Sequence, residues 1–245
     1  MADVLDQFVL DCRAIFGDDL QCVFLYGSAA AEDFLPGVSD YNLGVVLSEV
    51  RPLHLRRASA RTRSWARRRI SPPLLLDPEF IRRSLDVFPI EFLEIKAAHR
   101  TLFGPDPFVH VHVSGKNLRH QCEFEIKSKL LGLRSGYLRA ARSPRALLAL
   151  AMNSLKPILT VLRNFLRLHG EPIPALLGLV LDRFEAREGL ALPTLRRLLA
   201  VREGGEKLRR REIEGLIEAY LEEVQLIASR LDTASATEPE GSAPR

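Results

Sequence analysis

The sequence predicts an α+β fold: a small mixed sheet with flanking helices over residues 1–106, an all-α helical bundle over 107–232, and a disordered tail of small and polar residues over 233–245. Three observations carry this prediction. Two apolar runs of strand length, 20–26 and 40–47, are separated by a Gly-Ser turn and a Pro-Gly pair. Gly104-Pro105-Asp106-Pro107 breaks the pattern sharply. From Asn117 onward the apolar spacing is helical throughout, with a punctuating residue at each boundary.

In chain order, Val4, Leu5, Phe8, Val9, Cys12 and Ile15 recur at helical spacing, and Gly17 ends that helix. The runs 20–26 and 40–47 are apolar enough to be central strands. Between them, residues 29–32 form a short helix capped by Ser28, and Pro36-Gly37 closes the excursion. Pro52 opens an arginine-rich helix over 52–69, residues 74–76 form a short strand, and Pro78 starts a helix to 85. The run VFPIEFLEIK at 87–96 is bounded and β-rich, which predicts a third strand, and 97–103 a short helix. The alternating FVHVHV at 108–113 predicts an edge strand with His110 and His112 on one face; two histidines without a third ligand make a poor metal site. Bundle helices are predicted over 118–141, 144–168, 174–186, 195–201 and 206–231. Ser143-Pro144 is the clearest start, and Gly170, Gly189 and Gly204-Gly205 are the stops. Leu216, Ile217, Tyr220, Leu221, Val224, Ile227 and Leu231 make one stripe that needs a facing partner.

A 245-residue chain with 47% hydrophobic residues can bury a sizeable core, and no run approaches membrane-spanning length, so no membrane is expected among its partners. Acids in the first dozen residues do not suit a signal peptide, and the cytoplasm is the expected compartment. Cys12, Cys22 and Cys122 are odd in number and scattered, which predicts free buried thiols. The net charge of +4 is unevenly spread: no acid occurs between Glu49 and Asp77, a segment that carries Arg51, Arg56, Arg57, Arg61, Arg63, Arg67, Arg68 and Arg69. Such a run either neutralises phosphates or solvates a helix face, and the sequence leaves both open.

The chemistry concentrates at 24–47, FLYGSAAAEDFLPGVSDYNLGVVL. A strand ending in Gly27-Ser28 lets backbone N–H groups approach an anion closely. Asp40 and Asn42, two apart on a strand, point to one face where a metal would bind.

The Gly-Ser turn, a spacer of about a dozen residues and the Asp-x-Asn strand resemble the signature of the DNA polymerase beta-like nucleotidyltransferase superfamily. The layout of sheet domain followed by helices is similar to kanamycin nucleotidyltransferase. The resemblance implies that Gly27 and Ser28 hold the phosphates of a nucleoside triphosphate such as ATP; the basic run adds Arg56 and Arg57 as candidate nucleotide-binding residues. It implies that Asp40, Asn42 and a later carboxylate bind magnesium or manganese, with Asp40 and that carboxylate catalytic. Glu91 is favoured over Glu94 for the later carboxylate, because it lies mid-run between Ile90 and Phe92. Asn42 departs from the pattern, since the superfamily has a carboxylate there and an amide oxygen is a poorer partner for a hard dication.

The implied reaction is transfer of a nucleoside monophosphate to a hydroxyl acceptor on a small molecule, a protein or a nucleic acid, in a monomer or a homodimer. Glu123 and Glu125 are candidate general bases. The competing readings are a nucleotide-binding module that has lost turnover, and a helical-bundle RNase in which Arg163 and His169 would be paired.

Overall fold

The computed structural model describes residues 2–30, 40–140, 143–174 and 176–233. The predicted Pro36-Gly37 closure and nearly all of the predicted tail lie outside them. Contacts divide the chain into two compact units, Met1–Val113 and Ser114–Arg245.

In the first unit, helix α1 (Ala2–Phe16) leads into β1 (Leu20–Tyr26), and β2 (Asn42–Leu47) pairs antiparallel with it. Helices α2 (Pro52–Ser59) and α3 (Thr62–Arg67) follow, then β3 (Leu74–Leu76), α4 (Pro78–Arg83), α5 (Pro89–Ala97) and β4 (His99–Phe103). The sheet order is β3-β2-β1-β4, with β3 parallel to β2 and the other pairs antiparallel, so the sheet is mixed.

Alternation along the central strands builds two cores. Val23, Leu25, Leu43, Val45 and Leu47 meet Leu5, Phe8 and Cys12 of α1 with Ala58 and Trp65. Cys22, Phe24 and Val46 face the other way, against Leu76, Ile81, Phe92, Ile95, Phe108 and Val111. The first core also encloses a polar anchor. The fully buried Trp65 donates from Nε1 to Asp11 Oδ2 at 3.0 Å, and Arg68 Nη1 reaches the same oxygen at 3.4 Å, which satisfies a carboxylate that would be costly to bury alone.

Five local predictions are corrected. Residues 87–96 are not a strand: Pro89 has its φ fixed, lacks a donor N–H, and takes the first position of α5. Phe92 and Ile95, three apart, then share the buried side of a helix. The true edge strand is β4, in residues predicted as helix. It pairs with β1 through Tyr26↔His99 and Phe24↔Thr101. Residues 108–113 form a turn and extended chain, with Phe108 and Val111 buried and Val111 O accepting from Lys96 Nζ at 2.8 Å. This contact keeps 107–113 with the first unit, so the division falls at Val113 instead of the expected 106. The arginine-rich stretch is two short helices, broken around Ala60-Arg61. Finally, β2 begins at Asn42, with Asp40 just before it.

The second unit consists of α6 (Gly115–Ala140), α7 (Pro144–Leu168), α8 (Leu177–Glu188), α9 (Pro193–Arg202) and α10 (Ile213–Thr233). Ser143 caps α7 by accepting from Ala146 N at 3.3 Å. Helix α7 is long and apolar enough to cross a membrane by length and composition, contrary to the sequence reading. In this fold it is the centre of the bundle, packed by α6, α8, α9 and α10 with Leu147, Leu155, Leu159, Leu162 and Phe165 buried. The predicted α10 stripe is buried too, from Leu216 and Ile217 through Tyr220 and Val224 to Leu231. Glu223, on the same helix, accepts from Thr194 N at 2.7 Å and Leu195 N at 2.8 Å, capping the start of α9 from across the bundle.

Candidate functional site

The site is built where β1 ends. Tyr26 pairs with Asn42 on one side and His99 on the other, so the next residue, Gly27, sits between β2 and β4. Gly27 has φ +73, and a Cβ there would lie 3.2 Å from Asn42 Nδ2, which sets Asn42 directly beside the turn. Gly27–Ala29 form a 3-10 turn closed by Ala30 N–H to Gly27 O at 2.9 Å. The N-cap of this turn is Tyr26, so the backbone of Ser28 lies inside the turn; the predicted helix over 29–32 extends beyond the described residues. Gly27 N–H donates to Ala98 O at 3.0 Å and is therefore occupied. The turn's following N–H groups, on Ser28 and Ala29, are not used by the turn itself.

Asp40 stands two residues before Asn42, exposed, with its Oδ1 accepting from Arg69 Nε at 3.3 Å. The backbone enforces that meeting. Tyr41 N–H donates to Arg69 O at 2.7 Å, Ser71 N–H donates to Tyr41 O at 3.1 Å, and Tyr41 and Ile70 form a parallel bridge. Arg69 has φ +60, the one non-glycine residue in the left-handed region among the described residues. A guanidinium is thus held against the carboxylate that the sequence assigned to a metal. The sequence reading counted Arg69 within the basic run but missed its pairing with Asp40, because the contact depends on a bridge between residues 29 apart.

His99 was missed as well. On β4 beside Tyr26, its Nε2 lies 3.0 Å from Asp106 Oδ1 and its Nδ1 3.0 Å from Lys96 O, and its ring meets Phe108 edge-on. Burial raises the phenol of Tyr26 above its ordinary range.

Of the remaining sequence-predicted residues, Glu91 and Glu94 lie on a helix, where three apart means one face. Glu94 stands one turn, about 6 Å of axial rise, before Ala98, the residue bonded to Gly27, and Glu91 roughly 10 Å before it. The helix therefore reverses the preference between them. Arg56 and Arg57 are on α2, which starts beyond Leu47, at the opposite end of β2 from Asn42. Glu123 and Glu125 are each in an i,i+4 ion pair, with Lys127 and Lys129. Arg163 and His169 are six residues apart, which on a helix is about 240° and puts them on different faces. His169 packs edge-on against Phe165, and burial lowers its pKa. His110 and His112 are exposed, and among the described residues no group of three His, Cys, Asp or Glu could hold a metal ion. The three cysteines are buried thiols; burial pushes Cys22 and Cys122 up to about 12 and Cys12 higher still, so none is a nucleophile.

A cavity of about 260 Å³ lies elsewhere, lined by Gln21, Cys22, Val46, Ile81, Leu85 and Val111 among others. It is at the start of β1, roughly 17 Å along the strand from Gly27, and mostly apolar. We assign it to packing between α4 and the sheet and not to the phosphate turn.

No family model and no curated protein matches the sequence. Among solved structures, the chain is similar to spectinomycin adenyltransferase AAD(9) from Enterococcus faecialis, determined with ATP and spectinomycin. The match has a TM-score of 0.59 at 14% identity, over 95% of this chain and all of that one. Similarity at this level identifies the fold: a nucleotidyltransferase-like α+β sheet unit followed by a helical unit, the layout the sequence resembles.

Proposed function

We propose that the protein transfers a nucleoside monophosphate from a nucleoside triphosphate, ATP being the first candidate, to a hydroxyl acceptor. The observation that carries this reading is the corner itself: a left-handed glycine ends β1 directly against Asn42, with Asp40 two residues away. In this reading the Ser28 and Ala29 N–H groups hold phosphate oxygens, and Asp40 is the anionic anchor of the site. The donor set of one carboxylate and one amide oxygen suits one magnesium or manganese ion that takes its other oxygens from triphosphate and water. It falls short of a two-metal site unless α5 adds a glutamate, for which Glu94 is now better placed than Glu91. Such an ion, when bound, would supply charge stabilisation at the phosphates.

The similar structure was determined with ATP and spectinomycin, which supports a nucleotide as the first donor to try. The test is calorimetric ATP binding with magnesium, alongside pyrophosphate release in the presence of acceptors. Wild type should bind, and Asp40→Ala should lose the metal dependence, with affinity falling by at least about tenfold. No ATP binding by the wild type at millimolar ligand, or an unaffected Asp40→Ala, defeats the assignment.

A second reading has its own support. The neutral Asn42 and the Arg69 guanidinium on Asp40 both weaken a cation site, as expected of a module that binds nucleotide without turning it over. Tight ATP binding with no pyrophosphate release under any acceptor would favour it.

A further inference from the structure

We propose that the α2–α3 surface is a track for the phosphate backbone of a single-stranded nucleic acid, whose terminal hydroxyl is the acceptor. This rests on the transfer reading above. Arg56, Arg57, Arg61, Arg63 and Arg67 are exposed, and among the described residues their guanidinium groups make no hydrogen bond or ion pair. Other exposed arginines, Arg100, Arg202, Arg210 and Arg211 among them, also make no such bond among the described residues, but these five cluster within 56–67, a stretch that holds no acid. Where acids are near, arginines pair: Arg82 and Arg83 share Glu79, Arg196 holds Asp182 and Glu185, and Arg197 holds Glu206. Even within the basic run the flanking members are paired, Arg51 with Glu49 and Arg68 with Asp11.

The five central arginines are left uncompensated at some cost in stability. Arg63 and Arg67 stand at i,i+4 on a helix of six residues, where like charges repel. The inward side chains, Ala58 and Trp65, already anchor the two helices to the first core, so the arginines are not needed for packing.

The path of the chain gives the track a direction. Helix α2 begins beyond Leu47, at the far end of β2, and the segment after α3 returns to the near end, where Tyr41 bridges Ile70 and Arg69 meets Asp40. The five arginines are spread over two helices, about 21 Å of helical rise in total, which suits an extended polyphosphate better than one compact triphosphate. Arginine, which stacks on bases and pairs with phosphate oxygens in bidentate fashion, favours a nucleic acid strand over a lipid surface. A strand laid along the track would bring its end to the Asp40 corner. There its terminal hydroxyl oxygen would attack the α-phosphorus, the bond from that phosphorus to the bridging oxygen of the β-phosphate would break, and pyrophosphate would leave as the hydroxyl proton passes to water.

The test is fluorescence anisotropy of the whole protein with labelled single-stranded RNA and DNA of one sequence, and flotation with phosphatidylglycerol vesicles. Five phosphate contacts predict a slope of log affinity against log salt near −3.5, or about a hundredfold loss between 50 and 200 mM. Replacing Arg56, Arg57, Arg63 and Arg67 with Gln should bring the slope close to −0.7, while the four Arg→Lys changes should keep it near the wild-type value. Comparing the RNA and DNA arms identifies the sugar. Label from α-labelled ATP should enter the oligonucleotide and be lost when its terminal hydroxyl is blocked. Absence of oligonucleotide binding, an unchanged slope in a folded Gln variant, or binding only to vesicles overturns the proposal. ATP binding without oligonucleotide binding would sink this inference alone, whereas oligonucleotide binding without ATP binding would sink the transfer reading and the acceptor role with it.

Discussion

At the Gln21 end of the sheet, Gly104 has φ +77, and a Cβ there would lie 1.9 Å from the Gln21 carbonyl oxygen. At the Tyr26 end, Gly27 has nearly the same φ, but a Cβ there would meet only the Asn42 amide, at 3.2 Å. Backbone cannot yield at the first position, whereas a side chain can at the second. A similar dihedral therefore serves two purposes: close packing of chain on chain at one end, and at the other a turn bounded by a movable polar group. The second arrangement is the one expected where a ligand approaches backbone.

The largest effect should come from breaking the packed end. Gly104→Ala combines left-handed strain with an overlap that only backbone movement relieves, and should cost at least about 3 kcal/mol. In thermal unfolding this is a fall of about 6–12 °C or more, or failure to fold. Gly27→Ala should cost only about 1–2 kcal/mol, the left-handed strain alone, yet weaken ATP binding markedly because the added methyl displaces Asn42. Similar losses of stability in the two variants, or intact ATP binding in Gly27→Ala, would erase the distinction.

The contrast also bears on what the sequence could reveal. Gly27 and Asn42 were legible as local features, a turn residue after an apolar run and a polar residue at a fixed spacing in the next run, although the strand starts at Asn42 and not at Asp40. The bundle helices were legible through their punctuation, as at Ser143-Pro144, where the cap hydrogen bond forms as expected. Misreadings arose where local composition and tertiary packing disagree. VFPIEFLEIK is rich in β-formers, but Pro89 opens a helix that buries Phe92 and Ile95 under the sheet. HRTLF looks too polar for a strand, yet an edge strand needs only one paired side, and β1 supplies it. The site partners Arg69 and His99 were missed because they reach it through strand pairing with distant residues, which single-sequence spacing does not encode.

An intermediate effect is expected from Asn42→Asp, which probes the open end without altering its shape. Asp40 lies two residues before Asn42, in the segment that bridges to Ile70 and leads into β2, so in the proposed site the new carboxylate supplements the existing one. Magnesium affinity should rise on the order of tenfold, and pyrophosphate release should rise with it if the enzyme reading holds. In chelator the two carboxylates repel, so thermal stability should drop slightly and recover with magnesium. A variant with wild-type metal affinity and no magnesium-dependent thermal shift would mean that residue 42 does not serve the site.

The smallest effect, and the one whose sign is most informative, should come from Arg69→Gln. The backbone of Arg69 is fixed independently of its side chain, by its N–H to Ala66 O at 3.0 Å and its carbonyl accepting from Tyr41. The substitution should therefore preserve the bridge to β2. An exposed pair such as Arg69–Asp40 contributes well under about 1 kcal/mol to stability, so thermal unfolding should barely change. Binding separates two roles for the guanidinium. If Arg69 competes with a cation for Asp40, removing it should tighten magnesium-dependent ATP binding by about two- to fivefold, with the gain shrinking as salt screens the competition. If Arg69 instead turns toward the phosphates when nucleotide arrives, the same change should weaken binding. The structure, with Nε on the Asp40 oxygen, leads us to expect the tightening. A weakening would make Arg69 the last member of the arginine track, in contact with the triphosphate itself.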